Sequence, residues 1–368
     1  MNELLTNLSL REKVGQLFFI GIAGPEMDSA TSDLIGSINP GGICLFSRNI
    51  RDADQTRELN DSISRVSLTR PFKSLDQEGG TVDRLRRLIT PIAPAGSVRN
   101  ADEARQMAEL IGAVISLLGF NMNFAPVVDV VDERRAGSSN GLFTRPFGRS
   151  KETVAELAGT FLDTLQKMGP IGCLKHFPGL GAATVDSHEE LPVVGVSKQE
   201  LIDVDLYPYR KLIAEGNVQA IMAAHASFPM IDLQETGQNG KLLPSSLSFN
   251  FLTRLLRDEL GFNGLAITDD MEMGAVVKNY GIGEACKMAV AAGIDMLAIC
   301  AGREAIIEGY EAILSAVESG EIPIERLDRS VDRIGALKST LKPEPDFDKN
   351  RINEISADIA RFNAGLSA

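Results

Sequence analysis

The chain has 368 residues, 44% of them hydrophobic, and a formal net charge of −13 with a pI near 4.9. That length fits one large α/β domain or two smaller ones with a sizeable core. The acidic balance argues against nucleic acid or an anionic membrane as a main partner.

The first residues, Met-Asn-Glu-Leu-Leu-Thr-Asn, lack a basic segment followed by an apolar one. No apolar run reaches membrane-spanning length. The expectation is a cytoplasmic protein with no membrane partner, a monomer or weak dimer. Ser9-Leu-Arg-Glu12 reads as a capping box opening a helix. Strands are predicted at Val14–Ile22, Gly42–Phe46, Pro71–Leu75, Phe120–Phe124, Ile171–Lys175, Ala220–Ala224, Gly264–Thr268 and Asp295–Cys300. Several are near-continuous apolar runs, as expected of parallel strands buried on both faces. Helical patterns lie between them. Ser150 caps one that runs to about Met168, Ser197-Lys-Gln-Glu200 reads as a second capping box, and Leu252–Leu260 is a helix ended by Gly261. Residues 131–150, rich in Gly, Ser, Asn and Arg, read as a long loop over the mouth. Residues 342–348 form a Pro/Asp linker before a terminal helix around 352–363. The expected division is a catalytic unit over 1–341, with 342–368 a linker and a helix packing on it.

Eight strands alternating with helices suggest a (β/α)8 barrel of the TIM type, with a doubly wound open sheet as the alternative. The polar residues favour the barrel. Asp76, Lys175, His176, His225 and Asp269 each lie at or just past the C-terminal end of a strand. A barrel gathers those ends on one face, whereas an open sheet spreads them out.

The chemistry-bearing residues are few. The chain has three histidines. His176 and His225 follow apolar runs, and a histidine at a strand end is often a satisfied core residue. His188 lies in a glycine-rich stretch two residues after Asp186, which could orient its ring and stabilise its charged form. Gly264-Leu-Ala-Ile-Thr runs straight into Asp269-Asp270. Asp270 reads as a helix cap. Asp269 would point into the mouth, where a carboxylate can act as a nucleophile. Asp76-Gln-Glu-Gly-Gly fits either a sugar-hydroxyl site or a tight turn. Arg145 is a cation on the long loop. The four cysteines, Cys44, Cys173, Cys286 and Cys300, show no zinc spacing and read as buried thiols.

Together Asp76-Gln-Glu-Gly-Gly, Lys175-His-Phe-Pro-Gly, Asp186-Ser-His188 and Thr268-Asp-Asp-Met resemble glycoside hydrolase family 3, most closely its single-domain β-N-acetylglucosaminidase branch. Lesser matches are Asn123-Phe-Ala-Pro-Val-Val-Asp, Ile221-Met-Ala-Ala-His225 and Ala291-Ala-Gly-Ile-Asp-Met. The likeness runs from about Leu8 to Leu341. It implies a TIM-like barrel and a retaining double displacement, with no cofactor and no metal. Asp269 would be the nucleophile and His188, partnered by Asp186, the general acid/base. Asp76, Arg84, Arg145, Lys175 and His176 would bind the N-acetylglucosamine (GlcNAc) unit. The implied substrate is a muropeptide, with GlcNAc linked to 1,6-anhydro-N-acetylmuramic acid, in peptidoglycan recycling. Leu180 and Thr81 depart from the pattern, which many relatives fill with histidine and arginine. Rival readings are a substrate-assisted hexosaminidase, a metal-dependent hydrolase using His176, Asp186, His188 and His225, phosphorolysis, and a sugar-binding protein without catalysis.

Overall fold

The computed structural model describes residues 7–137, 141–183, 191–237 and 240–367. Eight strands close into a barrel: β1 Phe18–Gly21, β2 Gly42–Cys44, β3 Phe72–Leu75, β4 Met122–Asn123, β5 Ile171–Phe177, β6 Ala220–Ala223, β7 Leu265–Asp270 and β8 Met296–Ile299. Each pairs in parallel with its sequence neighbours, and β8 closes on β1 through Phe18 opposite Leu297. The open sheet is therefore excluded. Every predicted strand run overlaps one of these strands, but β5 and β7 each continue two residues past the predicted end, to Phe177 and Asp270.

The first boundary needs correction. Val14–Gln16 belong to the helix Leu10–Gln16 rather than to β1. The Ser9–Glu12 capping box is complete, so the local signal starts a helix and the apolar run Val14–Ile22 is shared between two elements. The second box is half formed. Ser197 Oγ accepts from Glu200 N at 3.1 Å, but the Glu200 carboxylate turns away to Arg135 at 2.8 Å, because a buried guanidinium is the stronger partner. Ser150 caps Lys151–Met168 as expected. Gly261, with φ of +70°, lies just beyond the helix Asn250–Glu259.

Inside the barrel the ring of Phe19 stacks on Phe72 at 5.9 Å and meets Phe124 edge-on at 5.3 Å. Gly42 makes room for it, since a Cβ there would lie 2.2 Å from the Phe19 ring. Aromatics thus pack together in the core, with Phe124 reaching the cavity, and polar side chains gather at the carboxyl ends of the strands. Between β3 and β4 the chain makes a short hairpin, Gln77–Gly79 against Val82–Asp83. No helix among the described residues is long and apolar enough to cross a membrane.

Candidate active site

The carboxyl ends of the strands surround a cavity of about 320 Å³, small for a ligand site and suited to a compact polar molecule. Asp76, Arg84, Arg145, Lys175, His176 and Asp269 all line it. In sequence they span nearly two hundred residues, and the closed barrel brings them to one face.

Asp76 follows β3 directly. Its carboxylate accepts from Lys175 Nζ at 2.8 Å and from Arg84 at 3.2 Å. Burial opposes its ionisation, but Lys175 and Arg84 outweigh burial and hold the carboxyl well below the usual carboxylate range. Glu78, on the hairpin, takes Lys175 Nζ at 2.6 Å and the Arg145 fork at 2.8 and 2.9 Å. It is held low in the same way, burial being overcome by Lys175 and Arg145. The ammonium of Lys175, fully buried between two carboxylates, stays protonated above its ordinary range even though burial alone would lower it. Three cations and two carboxylates therefore form one network whose charges stay on across the neutral range. Arg84 also lies over the Phe46 ring at 5.5 Å.

His176 is fixed from behind. Its Nδ1 lies 2.7 Å from Asp129 Oδ2, and its Nε2 lies 3.5 Å from Arg145. The acceptor on one side and the cation on the other assign the proton to Nδ1 and a lone pair to Nε2. Asp129 is itself buried and also accepts from the backbone N–H groups of His176 and Leu180.

Asp269, the next-to-last residue of β7, lines the cavity, with Oδ1 accepting from Asp270 N at 2.8 Å. Asp270 does not cap a helix, because the following helix starts only at Gly274. Its Oδ1 accepts from Glu272 N and Cys300 N, closing a turn at the strand end. Burial pushes its pKa up to about 7 against those two bonds.

His225 is fully buried and does not line the cavity. Its Nε2 donates to the Asp270 carbonyl at 3.2 Å, and Nδ1 accepts from Ser246 at 2.6 Å. It supports the backbone beside Asp269. Asp186 and His188 lie outside the described residues, which stop at Ala183 and resume at Leu191. Among the described residues no group of three or more His, Cys, Asp or Glu is placed to hold a metal ion.

Two residues of this site were not expected from the sequence, Glu78 and Asp129. Each lies within a motif, but acids buried behind cavity-lining side chains give no separate signal in one chain. The arrangement offers charged donors for several hydroxyls, one imidazole acceptor, and one carboxylate at the wall able to attack carbon.

The family model for the glycosyl hydrolase family 3 N terminal domain matches residues 9–337. A beta-hexosaminidase of Tolumonas auensis is 33% identical over 300 residues, covering 79% of this chain and 86% of that protein. A beta-hexosaminidase of Vibrio cholerae serotype O1 (strain O395) is 31% identical over 326 residues, covering 84% and 94%. The solved structure of a glycoside hydrolase family 3 beta-N-acetylglucosaminidase from Paenibacillus sp. superposes with a TM-score of 0.86 at 34% identity, over 96% of this chain and 69% of that one. A beta-N-acetylhexosaminidase from Beutenbergia cavernae superposes with a TM-score of 0.81 at 27% identity, over 90% and 99%.

Proposed function

The chain belongs to glycosyl hydrolase family 3, in its single-domain β-N-acetylglucosaminidase branch, and on that premise we propose that it is a retaining exo-β-N-acetylglucosaminidase. It is a glycoside hydrolase acting on carbohydrate, a β-N-acetylhexosaminidase. The observation that carries the finer reading is that one monosaccharide-sized cavity holds Asp269 together with the Asp76–Lys175–Arg84–Arg145 network.

In this reading the sugar hydroxyls are bound by Asp76, Arg84, Arg145, Lys175 and His176. Lys175 and the two arginines donate, and the Nε2 lone pair of His176 accepts. Asp269 attacks the anomeric carbon, and the bond to the leaving oxygen breaks as His188, then an imidazolium, gives that oxygen its proton. The glycosyl ester on Asp269 is opened by water, whose proton returns to imidazole His188. Two displacements at one carbon retain its configuration. Asp186 holds the ring of His188 and stabilises its charged form. Proton transfer of this kind typically contributes about 10²–10⁴-fold. An imidazole in this role replaces the second carboxylate of most glycosidases, and when neutral it does not repel an anionic leaving group. The natural substrate in this reading is the GlcNAc–anhydro-N-acetylmuramic acid muropeptide of peptidoglycan recycling, taken in the cytoplasm. It is supported by the branch resemblance.

The test is hydrolysis of a chromogenic β-N-acetylglucosaminide, with the matching β-glucoside and Asp269→Ala as controls. Turnover of the first alone, lost in the variant, is expected. Cleavage of the glucoside at equal rate, or full activity in Asp269→Ala, would overturn the reading. A fluorinated N-acetylglucosaminide should label Asp269 covalently. Slow turnover with no adduct would instead point to the substrate's acetamido oxygen as nucleophile.

A further inference from the structure

The family match ends at residue 337, yet the chain continues through 342–348 into the helix Lys349–Leu366. That helix buries Ile352, Ile355, Ile359 and Phe362, spaced three and four apart, so one face is committed to packing. It lies against the helix Ala101–Leu117. The linker before it is tied to β3, where Glu344 meets the buried Lys73 Nζ at 2.7 Å.

The same helix grips an extended strap, residues 90–94. Asn363 Oδ1 accepts from Ala93 N at 3.0 Å, Asn363 Nδ2 donates to the Pro91 carbonyl at 2.8 Å, and Ser356 Oγ accepts from Thr90 N at 2.8 Å. Successive backbone groups of an extended chain face opposite sides, and the strap uses both. Ile92 faces the hairpin, its N–H donating to Asp83 Oδ2 at 2.9 Å and its carbonyl accepting from Gly80 N at 2.8 Å. Asp83, buried, in turn accepts from Gln77 Nε2 and Leu85 N. The strap presses so close to the hairpin that a Cβ on Gly79 would lie 2.4 Å from the Ala93 carbonyl, and one on Gly80 2.6 Å from Pro94. That contact accounts for the paired glycines. The hairpin carries Glu78 and is flanked by Asp76 and Arg84.

We propose that the terminal helix is a buttress for the sugar-binding hairpin, with Asn363 and Ser356 as positioning residues. Residues beyond the family match thereby set how tightly the GlcNAc unit is held. The kinetic part rests on the activity read above; the mechanical part does not.

The test compares full-length Asn363→Ala and Ser356→Ala with Asn353→Ala, a change on the exposed side of the same helix. With the chromogenic β-N-acetylglucosaminide, Asn363→Ala should raise KM about threefold to tenfold, the worth of one or two lost hydrogen bonds, while kcat holds within about twofold. Ser356→Ala should follow in the same direction by less. Kinetics equal to those of Asn353→Ala would overturn the proposal. So would a fall in kcat alone that tracks the melting temperature, since that reports only lost folded protein. Hydrogen exchange needs no substrate. Amides in 77–94 should exchange faster in Asn363→Ala with the rest of the barrel unchanged, and unaltered exchange there sinks the buttress. If the wild type cleaves no N-acetylglucosaminide, the functional reading fails and the exchange result still decides the mechanical one.

Discussion

Arg145 donates to Glu78 through two parallel hydrogen bonds, Nε to Oε2 at 2.8 Å and a terminal nitrogen to Oε1 at 2.9 Å. The pair joins the segment around Arg145 to the hairpin after β3. Glu78 does not line the cavity, so it acts through the two cations that do.

Glu78→Gln keeps the shape and removes the charge. Removing one partner of a buried pair typically costs about 3–5 kcal/mol, and the low end is expected because Asp76 still faces Lys175. KM should rise about tenfold or more as Arg145 loses its anchor. In the double variant with Arg145→Ala the losses should fall well short of additive. A full sum of the two single effects, from steady-state kinetics and melting curves, would show that the residues act separately.

Asp129→Asn should disturb His176 although Asp129 itself does not line the cavity. The carboxylate accepts from Nδ1 and from two backbone N–H groups, which an amide with a single acceptor oxygen cannot reproduce. Hydrogen bonds to charged groups are worth about 1.5–3 kcal/mol, so kcat/KM should fall roughly tenfold to a hundredfold. With only three histidines in the chain, ring nitrogen NMR can follow the tautomer directly. An unchanged Nδ1–H signal for His176 in the variant would refute the assignment.

Asp270 makes stability depend on pH. Its pKa is pushed up to about 7 by burial, above an ordinary value of 3.8. Between those values the folded state holds a proton that the unfolded chain has released, so stability falls as pH rises from about 4 to about 7. Asp270→Asn keeps an oxygen for both backbone donors, so it imitates the protonated form. Its melting temperature should lack that part of the decline, and parallel wild-type and variant curves from pH 5 to 8 would rule the residue out.

Lys338 gives the opposite slope. It is buried with no carboxylate partner among the described residues, its Nζ donating to Gln16 Oε1 at 2.6 Å and Thr69 Oγ1 at 3.1 Å. Burial lowers its pKa from 10.5 to about 7. From about pH 7 to 10.5 the unfolded chain holds the proton and the folded state does not, so stability rises with pH. Lys338→Met should flatten that rise between pH 7 and 9.5 in calorimetric scans. A slope equal to the wild type's would place its origin elsewhere.

The eight strands were legible because parallel strands buried on both faces favour near-continuous apolar runs, and the helical patterns between them separated one run from the next. The cavity-lining residues were legible where a polar group broke such a run at or near its end, as at Asp76, Lys175, His176 and Asp269. The Ser9–Glu12 box also marked a helix start, although the apolar run after it hid where helix gave way to β1. Asp270 misled for a related reason. An aspartate before a helix and an aspartate closing a turn at a strand end carry the same local signature, and only the carbonyl and N–H groups within reach separate them.

What the chain alone determined is therefore the sequence of elements and the chemical types at strand ends, since both follow from local patterning and burial. The tertiary structure decided which carboxylate meets which cation. Glu78, Asp129, Asn363 and the glycines at 79 and 80 owe their roles to partners 14 to 270 residues away. Such contacts are fixed by barrel closure and packing, where a single ångström separates a charged hydrogen bond from none, and no periodicity in the sequence records that distance.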